Sequence, residues 1–277
     1  SYDELDRLVK DNLSALFVSL MTCEFNQAKI FRVFTSNNVK TAFWGPDPVY
    51  VQKSSFNRRF RRVTLKKILG VVENYLMHIL LRINVFHYYD YYFSVGNFGY
   101  RQIGIFDNKL LSKSTPLPIN SFDYNRFHYK TENTIDDEKD CIVFIDQYLP
   151  MHPDNIITGR KSIPVNDYYD RINVFFDFIE KHTGKKVIIA AHPKAQRYHD
   201  TDFFRGRKVV FNQACSLIKN ASLVLGHFST AIDYAVMSYK PILLLNSRLF
   251  EDYCPSYSDY VSSIAERIGS HFIYIEE

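Results

Sequence analysis

Four short runs in the second half of the chain are apolar almost from end to end: "CIVFI" (Cys141–Ile145), "KVIIAA" (Lys186–Ala191), "SLVLG" (Ser222–Gly226) and "PILLL" (Pro241–Leu245). A strand with one wet face alternates apolar and polar residues, so a strand that is apolar throughout must be covered on both faces. Helical stretches separate these runs. In "DYYDRINVFFDFIEKHTG" (Asp167–Gly184), Ile172, Phe175, Phe176 and Ile179 fall at the spacing of one helix face, and Gly184 is a natural stop. "NQACSLIKNA", "TAIDYAVMSY" and "DYVSSIAERIG" read as further helices, with Asn212 as a candidate cap, and "KVVF" and "FIYI" as short strands. Strands alternating with helices predict a doubly wound parallel sheet, whose ligands sit at the carboxyl ends of the strands.

The first half is less regular. "SALFVSL", "VKTAFWG" and "YYFSVG" read as strands and "NQAKIFRVFTSN" as a helix. An amphipathic or buried helix is expected over Phe60–Val85, since Glu73, Asn74, His78 and Arg82 interrupt any bilayer-spanning run. "STPLPINSFDYNRF" (Ser114–Phe127) reads as Pro-bearing and extended, and the polar "YKTENTIDDEKD" (Tyr129–Asp140) as a linker. The expected organisation is therefore two α/β domains, 1–130 and 131–277.

Composition excludes little more. The net charge of +4 is too mild to name a partner, but "RRFRRVTLKK" (Arg58–Lys67) concentrates six basic groups without an acid. That run reads as a solvated face, or as a contact for anionic lipid or an anionic acceptor. No nucleic-acid recognition motif accompanies it. Cys23, Cys141, Cys215 and Cys254 are far apart, which argues against a zinc site or a disulfide scaffold and fits a reducing, cytoplasmic setting. No signal peptide is visible at the start of the sequence.

Three segments carry candidate chemistry. In "AAHPKA" a strand delivers His192 to the ligand-binding end of the sheet, Pro193 ends the ladder, and Lys194 adds a cation. His192 can donate to a phosphate oxygen or protonate a leaving group; the plainer alternative is a histidine satisfying a backbone carbonyl. In "GHFSTAIDYA" the strand stops at Gly226, followed by His227, and Thr230-x-x-Asp233 matches a capping box. Ser229 and Thr230 would stand at a helix start, either capping it or holding an anion. In "FIDQYLPMHPD", Asp146 and Gln147 follow a strand of the same sheet. Asp146 could orient a sugar hydroxyl, bond a base, accept a proton, or simply form a turn. His152-Pro153-Asp154 reads as loop. Asp200-Thr201-Asp202 has the DxD pattern of metal-dependent sugar transferases but follows no convincing strand, so no metal is expected. GxGxxG, P-loop and GxSxG motifs do not occur.

"VIIAAHPKA" followed by "LVLGHFSTAIDYAVMSYKPILLL" resembles the donor domain of GT-B glycosyltransferases of bacterial surface polysaccharide synthesis. It is similar above all to the CMP-sugar-dependent sialyltransferases, polysialyltransferases and Kdo transferases, with their HP and Ser-Thr motifs. The resemblance covers about residues 141 to 245. It implies a GT-B-like α/β fold, two Rossmann-like domains whose parallel sheets face a cleft. It also implies transfer of a sialic acid or Kdo type sugar from a CMP-activated donor to an oligosaccharide or glycolipid acceptor, without a metal. His192 and Asp146 would be catalytic; Pro193, Lys194, Gln147, Gly226, His227, Ser229 and Thr230 would hold the donor. Peripheral contact with the inner membrane would run through Arg58–Lys67. The acidic first-domain motif of those families has no counterpart, leaving Asp47, Asp90 and Asp123 as candidate acceptor bases. A CDP-alditol phosphotransferase of the same fold, a non-catalytic glycan-binding module and a sugar-nucleotide epimerase are the alternatives.

Overall fold

The computed structural model describes residues 1–21, 24–44, 65–95, 113–129, 139–157 and 161–277. The chain divides into two compact units, Ser1–Ser121 and Phe122–Glu277.

The first unit is a four-stranded parallel sheet in the order β1 (Leu16–Ser19), β2 (Lys40–Trp44), β3 (Tyr91–Val95), β4 (Thr115–Ile119). Two helices, α1 (Tyr2–Asp11) and α2 (Ala28–Asn37), pack together through Val9 and Phe34. The helix α1 is capped by a Ser1–Glu4 capping box but buries little besides Val9, so its apolar pattern is weak in the sequence. Helix α3 (Leu65–Arg82) contributes Met77 and Leu81 to a core with Phe31, Phe43 and Tyr92. Strand β4 shows how the sheet tolerates two prolines. Thr115 donates its N–H to the Asp90 carbonyl beside β3, at 2.8 Å. Pro116 and Pro118, of the other parity, therefore face the open edge, where a missing donor costs nothing.

The remainder of "STPLPINSFDYNRF" is not extended. Phe122–Tyr129 is helix α4, and it belongs to the second unit. Tertiary bonds hold it there: the Tyr234 hydroxyl donates to Asp123 at 2.6 Å, Arg126 to the Asn212 carbonyl at 3.0 Å, and Lys219 to the Phe127 carbonyl at 3.0 Å. Residues 130–138 of the expected linker, Asp47, Cys23 and 58–64 of the basic run lie outside the described residues, and of 65–67 only the helical backbone is described. Among the described residues no helix is long and apolar enough to cross a membrane.

The second unit is a six-stranded parallel sheet in the order β10-β9-β8-β5-β6-β7. Its strands are β5 (Ile142–Ile145), β6 (Val187–Ala191), β7 (Val209–Phe211), β8 (Leu223–Gly226), β9 (Ile242–Asn246) and β10 (Phe272–Tyr274). The short α5 (Pro153–Ile157) follows β5, and α6 (Val165–Thr183) crosses over to β6. Its apolar face, Ile172, Phe175, Phe176 and Ile179, is buried, and Gly184 ends it in the left-handed region at φ 69°. Asn212 does not cap the next helix, α7 (Ala214–Asn220). It takes a positive φ of 58°, and Gln213 occupies the cap position. From β5 the chain runs outward through β6 to β7, then returns to β8 on the other flank of β5. This reversal places the topological switch point between β5 and β8.

Candidate functional site

The carboxyl ends of β5, β6 and β8 deliver the three segments singled out in the sequence. Asp146 and Gln147 follow β5 at the centre, His192 follows β6, and Phe228-Ser229 follow β8. His192 and Ser229 are thus not on adjacent strands, as two neighbouring anion holders would require. One strand separates them, roughly 10 Å of sheet at the usual spacing. The residues of β5 span that gap. The Gln147 side-chain oxygen accepts the Phe228 N–H at 2.9 Å, across the switch point. The Asp146 carboxylate accepts the Tyr148 N–H at 3.0 Å and the His192 N–H at 3.4 Å.

Asp146, expected to be catalytic, has structural partners. It is 3% exposed, and burial pushes its carboxyl up to about 6 against the pull of its hydrogen bonds. Nearby, the Tyr198 hydroxyl meets that of Tyr169 at 2.6 Å. A buried carboxylate that accepts backbone amides from two segments fixes those segments relative to each other.

His192 ends β6 half-buried and heads a tight turn. Its carbonyl accepts the Ala195 N–H at 2.9 Å, with Pro193 in the position where a fixed φ favours the turn. Its Nδ1 accepts the Lys194 N–H at 3.2 Å. That bond assigns the proton of the neutral ring to Nε2, which is therefore a donor. Burial, then the neighbouring His152 and Lys194, hold its pKa down to about 4, so the ring is neutral at physiological pH. Lys194 pairs with Asp154 at 3.2 Å.

His152 reads as loop in the sequence, yet its ring lies edge-on to that of His192, centroids 4.9 Å apart. Its neighbours form α5 rather than an open loop. The signal that could have found it is a repeated dipeptide, since His152-Pro153 and His192-Pro193 each follow a buried strand of one sheet.

The β8 segment is more modest than the capping box implied. The helix α8 (Ile232–Met237) begins after Ala231 and has no side-chain cap. Ser229 Oγ accepts the Ala231 N–H at 3.2 Å in the preceding turn, and Thr230 is exposed. His227 is not placed to hold a ligand. It is fully buried, its Nδ1 bonded to the Leu245 carbonyl at 2.8 Å and its Nε2 to the Tyr168 hydroxyl at 2.9 Å. Gly226 is not demanded by crowding: a Cβ there would meet Ile145 at an ordinary 3.7 Å.

Two of the carboxylates considered as acceptor bases also have structural partners. Asp90 accepts the Thr41 N–H and pairs with Lys40 at 2.8 Å, and Asp123 takes the Tyr234 hydroxyl. In the DxD segment, Asp202 accepts the Phe204 and Gly206 N–H groups at 3.0 and 2.7 Å, forming a turn.

No protein-family model matches the chain, and no curated protein matches it in sequence. Solved structures do. The UDP-GlcNAc 2-epimerase of Methanocaldococcus jannaschii is 13% identical over 99% of this chain and 69% of its own, with a TM-score of 0.50. MnaA of S. aureus, solved with UDP, is 12% identical over 96% and 70%, at 0.48. The spinosyn rhamnosyltransferase SpnG is 11% identical over 97% and 68%, at 0.43. The first likeness gives the fold: α/β and GT-B-like, built of two Rossmann-like units, each around a parallel sheet.

Proposed function

We propose that this chain is a GT-B-type glycosyltransferase that holds the phosphate of a nucleotide-activated sugar at the carboxyl end of β6 and passes the sugar to a glycan acceptor. The observation that carries the reading is the His192 turn. The backbone N–H of Lys194 ties down Nδ1, so a neutral imidazole carries a donor Nε2–H at the carboxyl end of β6, one strand from the switch point. Asp146 and Gln147 hold that turn and the β8 segment in register. Ser229 and Thr230, on the far side of β5, supply further hydroxyls to the nucleotide.

In the reaction an acceptor oxygen attacks the anomeric carbon. The glycosidic bond to the donor phosphate breaks and its electron pair remains on the departing phosphate oxygen. The acceptor proton leaves to a base or to water. A donor fixed where that charge grows stabilises the transition state more than the ground state. Protein donors do this work in the proposed mechanism, with no metal assigned.

For the donor we propose a CMP-activated sugar of the sialic acid or Kdo type. The HP and Ser-Thr motifs support this, and so does the charge of the site. Lys194 is already paired with Asp154, so the turn offers neutral donors rather than net positive charge. A single phosphodiester charge asks less of such a turn than a diphosphate does. The structurally similar protein of Methanocaldococcus jannaschii is a UDP-GlcNAc 2-epimerase, so UDP belongs in the test.

The test is a thermal-shift and calorimetric panel of CMP, UDP, TDP and a CDP-alditol, followed by a transfer assay with the nucleotide that binds. His192→Ala should lower turnover by roughly 10²-fold, as removal of one such donor does elsewhere. A variant turning over at the wild-type rate would remove His192 from the mechanism. Stabilisation by UDP alone, with epimerised sugar and no transfer product, would replace the transferase by an epimerase.

A further inference from the structure

The two His-Pro segments are geometric twins. In each, the histidine carbonyl accepts the N–H three residues on: Asn155 to His152 at 3.0 Å and Ala195 to His192 at 2.9 Å. In each, Nδ1 accepts the N–H two residues on, Asp154 to His152 and Lys194 to His192, both at 3.2 Å. The residues that donate those N–H groups also pair with each other, Lys194 Nζ to Asp154 at 3.2 Å, which clasps one turn against the other. The rings meet edge to face with centroids 4.9 Å apart and an interplanar angle of 69°. His152 is 18% exposed at its side chain, comparable in access to the half-buried His192.

Two equivalent bonds at Nδ1 have one consequence. An imidazole whose Nδ1 accepts an amide N–H carries, in its neutral form, the proton on Nε2, on the side of the ring away from the turn. Two such rings suit an anion. A metal ion would need a bare ring nitrogen and would have to break the Nδ1 bond to obtain it.

We propose that His152 is a second hydrogen-bond donor to the ligand phosphate, and that the two His-Pro turns form one two-imidazole clamp for a phosphate-bearing ligand. The proposal rests on the nucleotide-sugar reading and extends it to a residue outside the motif pair that suggested it. Imidazoles with centroids 4.9 Å apart are near enough to share one phosphate group as their ligand. The Lys194–Asp154 pair sets the spacing of the clamp and neutralises its only flanking charges among the described residues of the two turns, so recognition falls to the rings.

The test uses the full chain and calorimetry at neutral pH, with CMP and UDP beside cytidine and uridine, which lack the phosphate. The informative substitution is His152→Asn. Its side-chain oxygen can replace Nδ1 as acceptor for the Asp154 N–H, keeping the turn, while the distal donor is lost. We expect nucleotide affinity to fall by roughly tenfold or more, the loss of one hydrogen bond to a charged group, and nucleoside affinity to stay as it was. His152→Gln, whose amide N–H reaches toward the Nε2 position, should recover part of the loss. In a His192→Ala background, His152→Asn should weaken the nucleotide further. Unligated melting temperatures identify any variant that fails to fold, and His152→Gln then carries the comparison. If His192→Ala weakens nucleotide binding and His152→Asn leaves it unchanged, the clamp is overturned while the nucleotide reading stands. The same holds if the effect of His152→Asn vanishes in the His192→Ala background, since His152 would then act only through its neighbour. A wild-type chain that binds neither nucleotide at millimolar concentration overturns both.

Discussion

Asp146 is the residue on which the site's shape depends. Replacing it with alanine leaves the buried N–H of Tyr148 and that of His192 without their acceptor, at about 1–3 kcal/mol per buried group. Asp146→Ala should therefore melt well below wild type, and Asp146→Asn, which keeps one acceptor oxygen, should fall between. A variant that melts normally and loses only turnover would return Asp146 to the role of reacting base. The titration of the same region has signs that can be worked out. His192 and His227 are neutral in the fold down to about 4, whereas an unfolded histidine takes up its proton near 6.5. Their contribution is present above that value and is lost as pH falls through the window. Asp146, raised to about 6, has the opposite sign: it holds its proton in the fold while the unfolded carboxylate has released it, so it favours the fold as pH drops. With His78, whose pKa burial also lowers, three histidines stand against one aspartate and leave a net loss on acidification, about 1.4 kcal/mol per pH unit for each unbalanced proton. Urea melts between pH 7 and pH 5 should show this slope, and His192→Asn should flatten it. An identical slope in the variant would mean that the ring is protonated in the folded chain.

At the scale of elements, the strands of the second unit were the most legible feature, because a strand buried on both faces has no freedom to hide polar residues. The face of α6 was legible for the same reason. The misreadings came where a polar residue had more than one partner available. Thr230-x-x-Asp233 has the letters of a capping box, but the Ser229 hydroxyl takes the Ala231 N–H and the helix starts later. Phe122–Tyr129 reads as extended after two prolines, yet its bonds to Tyr234, Asn212 and Lys219 lie far along the chain, where local pattern cannot see them. Two glycines separate conformation from space. Gly184→Ala, at φ 69°, should lower stability by about 1 kcal/mol, since a Cβ strains the left-handed region. Gly226→Ala should be nearly neutral in a melt, as its Cβ would meet Ile145 and Ile232 at ordinary contact distance. A large loss at Gly226 would show crowding that these contacts do not contain.

For the whole molecule, the division into two units predicts where a ligand leaves its mark. Nucleotide at a hundred times its Kd should add about 2.7 kcal/mol to stability. Hydrogen exchange with and without CMP should place the added protection in Phe122–Glu277, at the segments after β5, β6 and β8, and leave Ser1–Ser121 little changed. Protection confined to the first unit would move the site elsewhere. The sequence by itself determined the parallel α/β architecture and the arrival of His192, Asp146 and Ser229 at strand ends, because apolar runs and their punctuation are local properties of a chain. Strand order, and with it the company each side chain keeps, was decided by the tertiary structure. Burial turned Asp146 inward and locked His227 into the core, and the placing of β5 beside β6 brought His152 against His192. Such outcomes depend on which distant residues compete for the same hydrogen bonds and the same space, and spacing along the chain carries no record of that competition.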